Sequence, residues 1–210
     1  MPFFVKILRT SFAIVAIILA VQPAQAHNKF ELDLTGGYRF ASKVELPQND
    51  DGAGDFKLAP SFAFSAIAGY RAQPDGFVYL SYSRQQTKVE YQSDDAGTDF
   101  SAKATVEYFQ FGGNIEMTRG RLVPYLGVSV GAARLATVGE GSSRFFFAPV
   151  IDTGFKVDLH EHVHLRFLGR LPVIFMSGDA FCTDGTGCLT VDQIKPMAQF
   201  ELHGGVGVSF

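Results

Sequence analysis

Eight segments of the chain alternate large apolar residues with small or ionisable ones at a period of two. That is the mark of extended strands whose two faces meet different surroundings. In residues 29–40, KFELDLTGGYRF, the set Phe30, Leu32, Leu34, Gly36, Tyr38 and Phe40 opposes Lys29, Glu31, Asp33, Thr35 and Arg39. The same split recurs in SFAFSAIAGYR (61–71), FVYLSYSRQ (77–85), YFQFGGNIEM (108–117) and LVPYLGVSVGAA (122–133), then in PVIDTGFKV (149–157), VHLRFLGRLPV (163–173) and QFELHGGVGVSF (199–210). No stripe at helical spacing competes with it, and 21 Phe and 7 Tyr favour strands further.

The connections alternate in length. Those at 72–76, 118–120 and 159–162 are short; those at 42–58, 86–103, 136–144 and 176–194 are long and polar. Such alternation predicts an up-and-down meander with one compact rim and one elaborated rim of long loops. An eight-stranded barrel encloses room only for its own side chains or one small ligand. The apolar set is too bulky for that space, whereas Gly127, Ser129, Gly131, Gly205, Gly207 and Ser209 fit it beside long charged chains. The apolar face is therefore expected to meet lipid. The inward set holds Glu31, Asp33, Glu116, Asp152 and Glu201 against Arg39, Arg71, Lys156, Arg166 and Arg170. Because buried charges must be paired, this balance predicts a self-neutralising network and not the single-sign lining of an ion-selective pore.

Residues 1–26 have the form of a secretory signal peptide: Lys6 and Arg9, an apolar run from Phe12 to Val21, and a small-x-small ending at Ala24-Gln25-Ala26. The expected domain is 27–210, in which 16 basic residues face 21 acidic ones, so no basic surplus points to nucleic acid. Export into an oxidising compartment makes Cys182 and Cys188 an expected disulfide around Thr-Asp-Gly-Thr-Gly. A loop so short is worth roughly 2 kcal/mol.

The signal segment, the eight strands and the ending HGGVGVSF together resemble the small eight-stranded outer-membrane barrels of Gram-negative bacteria, the OmpA membrane domain, OmpX and Opa-like group. Their C-terminal pattern is matched by His203, Gly205, Val208 and Phe210. The resemblance implies that this tail is read by the barrel-assembly machinery, that the chain lies in the outer membrane among lipid and lipopolysaccharide as a monomer, and that no cofactor is needed. It also implies that function sits in the long loops, as contact with a host or neighbouring-cell ligand. A narrow passage for small solutes and a lipid A modifying enzyme are the alternatives.

Candidate chemistry is sparse. In HEHVH, His160, His162 and His164 lie on one strand face, but alternate residues are about 7 Å apart, too far to converge on one zinc without a turn. Exposed histidines on a short turn are the expectation, with no metal site. The deacylase pattern of a histidine and serine two residues apart is missing its serine, since His162 is followed by His164 and His164 by Arg166; without a nucleophile there is no acyl transfer. The acidic, Gly-rich PQNDDGAGD and QSDDAGTD read as solvated hairpin tips and match no calcium loop.

Overall fold

In the computed structural model the described residues are 29–41, 44–49, 52–93, 100–118, 120–137, 143–183 and 187–210. The signal segment, residues 50–51 of the first acidic stretch and residues 94–99 of the second lie outside them. The chain forms β1 (Phe30–Ala41), β2 (Val44–Asn49), β3 (Gly52–Leu58), β4 (Ser61–Arg71), β5 (Gly76–Ser93) and β6 (Phe100–Glu116). It continues with β7 (Leu122–Thr137), β8 (Ser143–Phe147), β9 (Val150–His160), β10 (Val163–Thr183) and β11 (Gly187–Ser209).

All pairings are antiparallel. They run β1–β4–β5–β6–β7–β9–β10–β11 and back to β1, closing an eight-stranded barrel. Closure is made by Leu32 opposite Val208 and Phe40 opposite Phe200. At its lower end Phe30 and Phe210 exchange backbone hydrogen bonds of 2.9 Å in both directions. Two further strands are wall continuations. Ala59–Pro60 separates β3 from β4, both of which pair β5, and Ala148–Pro149 separates β8 from β9, both of which pair β7. Proline offers no N–H to a ladder. The preceding alanines keep contact with it through Ala59 N to Lys88 O at 2.8 Å and Ala148 N to Gly131 O at 3.0 Å.

The short turns and both barrel termini share one rim, as the connection lengths require; Gly120 supplies the positive φ, +148°, in the turn before β7. At the other rim the expectation of long loops is overturned. Strand continues through most of 44–58, 86–103 and 176–194, so these connections are extended β-hairpins.

The reason is a reversal of facial polarity. On β5 the outward residues are Val78, Leu80 and Tyr82, then Arg84, Gln86 and Lys88, while the inward ones pass from Ser81, Ser83 and Gln85 to the buried Val89. β7 does the same, with Leu126, Val128 and Val130 outside below, and Arg134 outside between the buried Ala133 and Leu135 above. The lower wall is apolar outside and mainly polar inside, apart from an inward cluster of Ile67, Phe77, Tyr79, Tyr125 and Leu168; on β5 and β7 the upper wall has the ordinary arrangement of a protein in water, although Phe145 on β8 and Ile194 on β11 remain exposed.

Candidate functional site

Most of the large apolar residues that remain exposed belong to the outward faces of the lower wall. Phe62 (63%), Leu80 (63%), Ile115 (68%) and Val128 (64%) are representative. Single apolar residues on a surface are ordinary, but a continuous belt around a barrel marks a membrane surface.

Inside, alternation on every strand aims the charged side chains at a common axis, and the described residues place all ten charges of the inward set there in layers. Nearest the short-turn rim, Arg71 bridges Glu31 at 2.7 Å and Glu116 at 2.5 Å, and Lys156 Nζ lies 2.6 Å from a carboxylate oxygen of each. Above it, Asp33 accepts from Arg166 at 2.7 Å and stands 2.7 Å from His164 Nε2; Arg166 also donates to Tyr125 Oη at 3.1 Å and stacks over its ring. The third layer is a row across four neighbouring strands: Arg39 opposite Glu201, Glu201 opposite Arg170, and Arg170 opposite Asp152. Its ion pairs are 2.7, 3.8 and 2.8 Å long. Tyr79 donates to Asp152, Arg39 donates to Ser83, and His203 Nε2 lies 3.1 Å from Glu201. Above the charges the lumen is filled by Leu58, Val89, Val106, Tyr108, Leu135, Phe146, Ile174, Met176 and Met197, all buried.

Sequence reasoning missed this apolar plug, because its residues fall largely in or beside stretches read as loops. The expected charge network also left out Tyr79, Tyr125 and His203, which the structure joins to it. His164 corrects the expectation of exposed turn histidines: it is 2% exposed and committed to Asp33, whereas His160 is exposed at the rim. Gly207 makes that contact possible. It lies between Asp33 and His164 in register, and a Cβ there would overlap Asp33 Oδ1 and His164 Nε2.

Two arrangements resemble chemistry. Glu31, Asp33 and His164 bring three ligand atoms within 4.8 Å of one another, but Arg71, Lys156 and Arg166 already occupy the two carboxylates, and a cation would have to displace them. The serine absent beside the histidines in sequence is present in space, since Ser209 Oγ lies 3.5 Å from His164 Nδ1 and completes a line to Asp33. That distance is the outer limit of a hydrogen bond, and the carboxylate is also held by Arg166. The line stitches β10, β11 and β1 together. Below it a vestibule of about 800 Å³ opens at the rim, lined by Arg71, Glu116, Lys156 and Ser209 among others.

Cys182 and Cys188 are directly opposite in the backbone register of the β10–β11 hairpin; their side chains lie outside the described residues.

A closed antiparallel barrel with an apolar exterior and a polar lower lumen is a transmembrane β-barrel. The chain belongs to the outer membrane protein beta-barrel domain family, whose model matches residues 11–179. It is an outer-membrane protein of the Gram-negative type. Among solved structures it is similar to Neisserial surface protein A, at 20% identity and a TM-score of 0.57 over 86% of this chain and 97% of that one. It is also similar to OprG from Pseudomonas aeruginosa, at 13% identity and 0.56 over 90% and 99%. AlkL, determined in lipid bilayers, gives 14% and 0.51 over 90% and 95%. At these identities the likeness concerns the fold. No curated protein sequence matches the chain.

Proposed function

We propose that the protein is a closed, non-enzymatic outer-membrane barrel that acts through its extended hairpins, as a structural element of the membrane or as a contact for a host or neighbouring-cell surface ligand. The observation that supports this reading is the occupied lumen. Above the rim vestibule, ion pairs with a small apolar cluster of Ile67, Phe77, Tyr79, Tyr125 and Leu168 occupy the lower lumen and the apolar plug the upper one, so the described wall encloses no wide aqueous path. What the fold offers to a partner is then the stiff β-structure above the membrane, where recognition surfaces on rigid scaffolds are commonly built. In this reading residues 1–26 are removed on export, a Cys182–Cys188 bond braces the last hairpin, and His203, Gly205, Val208 and Phe210 form the tail read during assembly.

Reconstitution in planar bilayers tests it: refolded protein is expected to give no discrete conductance steps, and steady opening would favour the narrow-channel alternative. Replacing residues 94–99 and 184–186 by Gly-Ser turns is expected to leave the barrel folded while removing surface binding. Lipid A composition in an overexpressing strain, read by mass spectrometry, is expected to stay unchanged; a new lipid A species would sink the non-enzymatic reading.

A further inference from the structure

We propose that the upper outward face of β8, β10 and β11 is a lipid contact, seated among the acyl chains of the outer leaflet by a lean of the whole barrel toward that side. The border between apolar and charged wall is stepped. Outward residues turn from Tyr82 to Arg84 on β5, from Phe109 to Glu107 on β6 and from Ala132 to Arg134 on β7. On the other side Phe145, Phe147, Phe175, Pro196 and Ile194 carry the apolar face further upward, with Phe145 64% and Ile194 68% exposed. Up to the level of Ile194 no charge points outward there among the described residues. Arg144 and Lys195 fall in the inward phase, in step with the buried Phe146 and Met197.

The two kinds of wall stand at the same height. Starting at Leu34, direct neighbours run through Ala66 to Tyr82, then through Phe109 and Ala132 to Phe147, and through Phe175 to Pro196. Ala41 faces Gln199, so Pro196 falls in register with position 44, and one circuit climbs from 34 to 44. Strands with a shear of about ten residues tilt by about 40°, so each step to the next strand rises roughly 3 Å and each residue along a strand roughly 2.6 Å. Phe147, reached in three steps from Tyr82, is therefore level with Gln86. By the same rule Pro196 is level with Lys88, and Ile194 with Glu90.

An upright barrel suits only one of these sides. With the bilayer surface at Arg84, the phenyl rings across from it lie in water; with the surface at Ile194, Arg84, Glu107 and Arg134 lie in hydrocarbon, where charge on the lipid face is costly. A lean resolves both, as tilting accommodates a mismatched membrane segment. The occupant follows from continuity: Leu171 and Val173 on β10, and Phe200 and Ala198 on β11, join this face to the belt below without a polar break. Acyl chains that cover the belt cover its extension. The lean also bears on the proposed surface contact, since it lifts hairpin β5–β6 clear of the bilayer and lays hairpin β10–β11 against it. It holds whether or not that contact exists.

The chain contains no Trp, so single tryptophans report depth without background. Phe147→Trp, Gln86→Trp, Met117→Trp and Val163→Trp are refolded into phosphatidylcholine vesicles brominated at successive acyl positions, and quenching gives each indole's distance from the bilayer centre. Met117 and Val163 form a level pair at the lower rim, because Ile115 connects through Leu126 and Thr153 to Gly169. Phe147→Trp is expected nearer the centre than Gln86→Trp by about 5–10 Å, the shift that a lean of roughly 25° gives across an eight-stranded barrel. At the lower rim a rigid lean reverses the sides, so Met117→Trp is expected nearer the centre than Val163→Trp. Each variant must keep the heat-dependent gel shift of a folded barrel, and Phe145→Trp against Lys88→Trp is a second level pair should one of the upper variants fail to fold. Equal depths within either pair, or an indole at Phe147 that no brominated lipid quenches, overturn the proposal.

Discussion

Arg39 Nε stands 2.7 Å from Glu201 Oε1 across the closing seam, with the two residues directly opposite in register and neither side chain exposed. Removing one partner takes from the other buried charge its nearest counter-ion, and without Arg39 the cation left to Glu201 is Arg170 at 3.8 Å; breaking a buried pair costs about 3–5 kcal/mol in comparable sites. Arg39→Ala or Glu201→Ala is therefore expected to lower the urea midpoint of the folded barrel steeply. Arg39→Met/Glu201→Met is expected to recover much of the loss. A double variant no better than the worse single one would show that the pair has no coupled role.

Gly207→Ala is expected to destabilise the barrel by about 1–3 kcal/mol, the usual cost of overpacking. The added methyl meets Asp33 and His164 with no room to spare. Gly204, which faces outward with only Phe167 ring atoms at 3.8 Å, is the control: Gly204→Ala should leave the thermal midpoint nearly unchanged.

The apolar plug predicts core behaviour in the upper lumen. Ile174→Ala and Met176→Ala remove side chains that are 0% and 1% exposed, and each is expected to cost about 2–5 kcal/mol. Replacing Ile151, which is 53% exposed on the outward face, by Ala should cost less in detergent. Equal losses at all three sites would contradict a packed lumen.

Cys182 and Cys188 are expected to resist alkylation until reduced, as mass spectrometry of unreduced and reduced protein will show. Reduction should leave the barrel folded, because so short a loop contributes only roughly 2 kcal/mol.

Phe210→Ala separates folding from assembly. The backbone bonds of residue 210 to Lys29 and Phe30 do not need its ring, so refolding into micelles is expected to proceed nearly as in the parent. If the tail is an assembly signal, the outer-membrane level in cells should fall severalfold. Equal defects in both settings would assign Phe210 to packing alone, through its ring stacked 6.1 Å from Phe30.

The lower barrel was legible because one rule, large apolar residues outward, governs most positions below the level of Arg84, with Ile67, Phe77, Tyr79, Tyr125 and Leu168 as inward exceptions. It fails where the wall leaves the membrane. In Thr87-Lys88-Val89-Glu90 the alternation persists with its sense reversed, and beside charged neighbours it reads as a polar loop. Pairing was not legible. Asp33 and His164 are 131 residues apart and meet only because β11 places a glycine between them. Ser209 beside His164 depends on the same register, which no local spacing encodes.

The wall closes by joining its first strand to its last. Every intermediate short of that union exposes two unsatisfied edges, and in hydrocarbon an open edge has no water to satisfy it. The chain therefore cannot enter the bilayer strand by strand from its beginning as a helical membrane protein can. It needs either a catalyst that shields the two edges or insertion as a nearly finished cylinder, and the hydrogen bonds between Phe30 and Phe210 are the latch that ends the process.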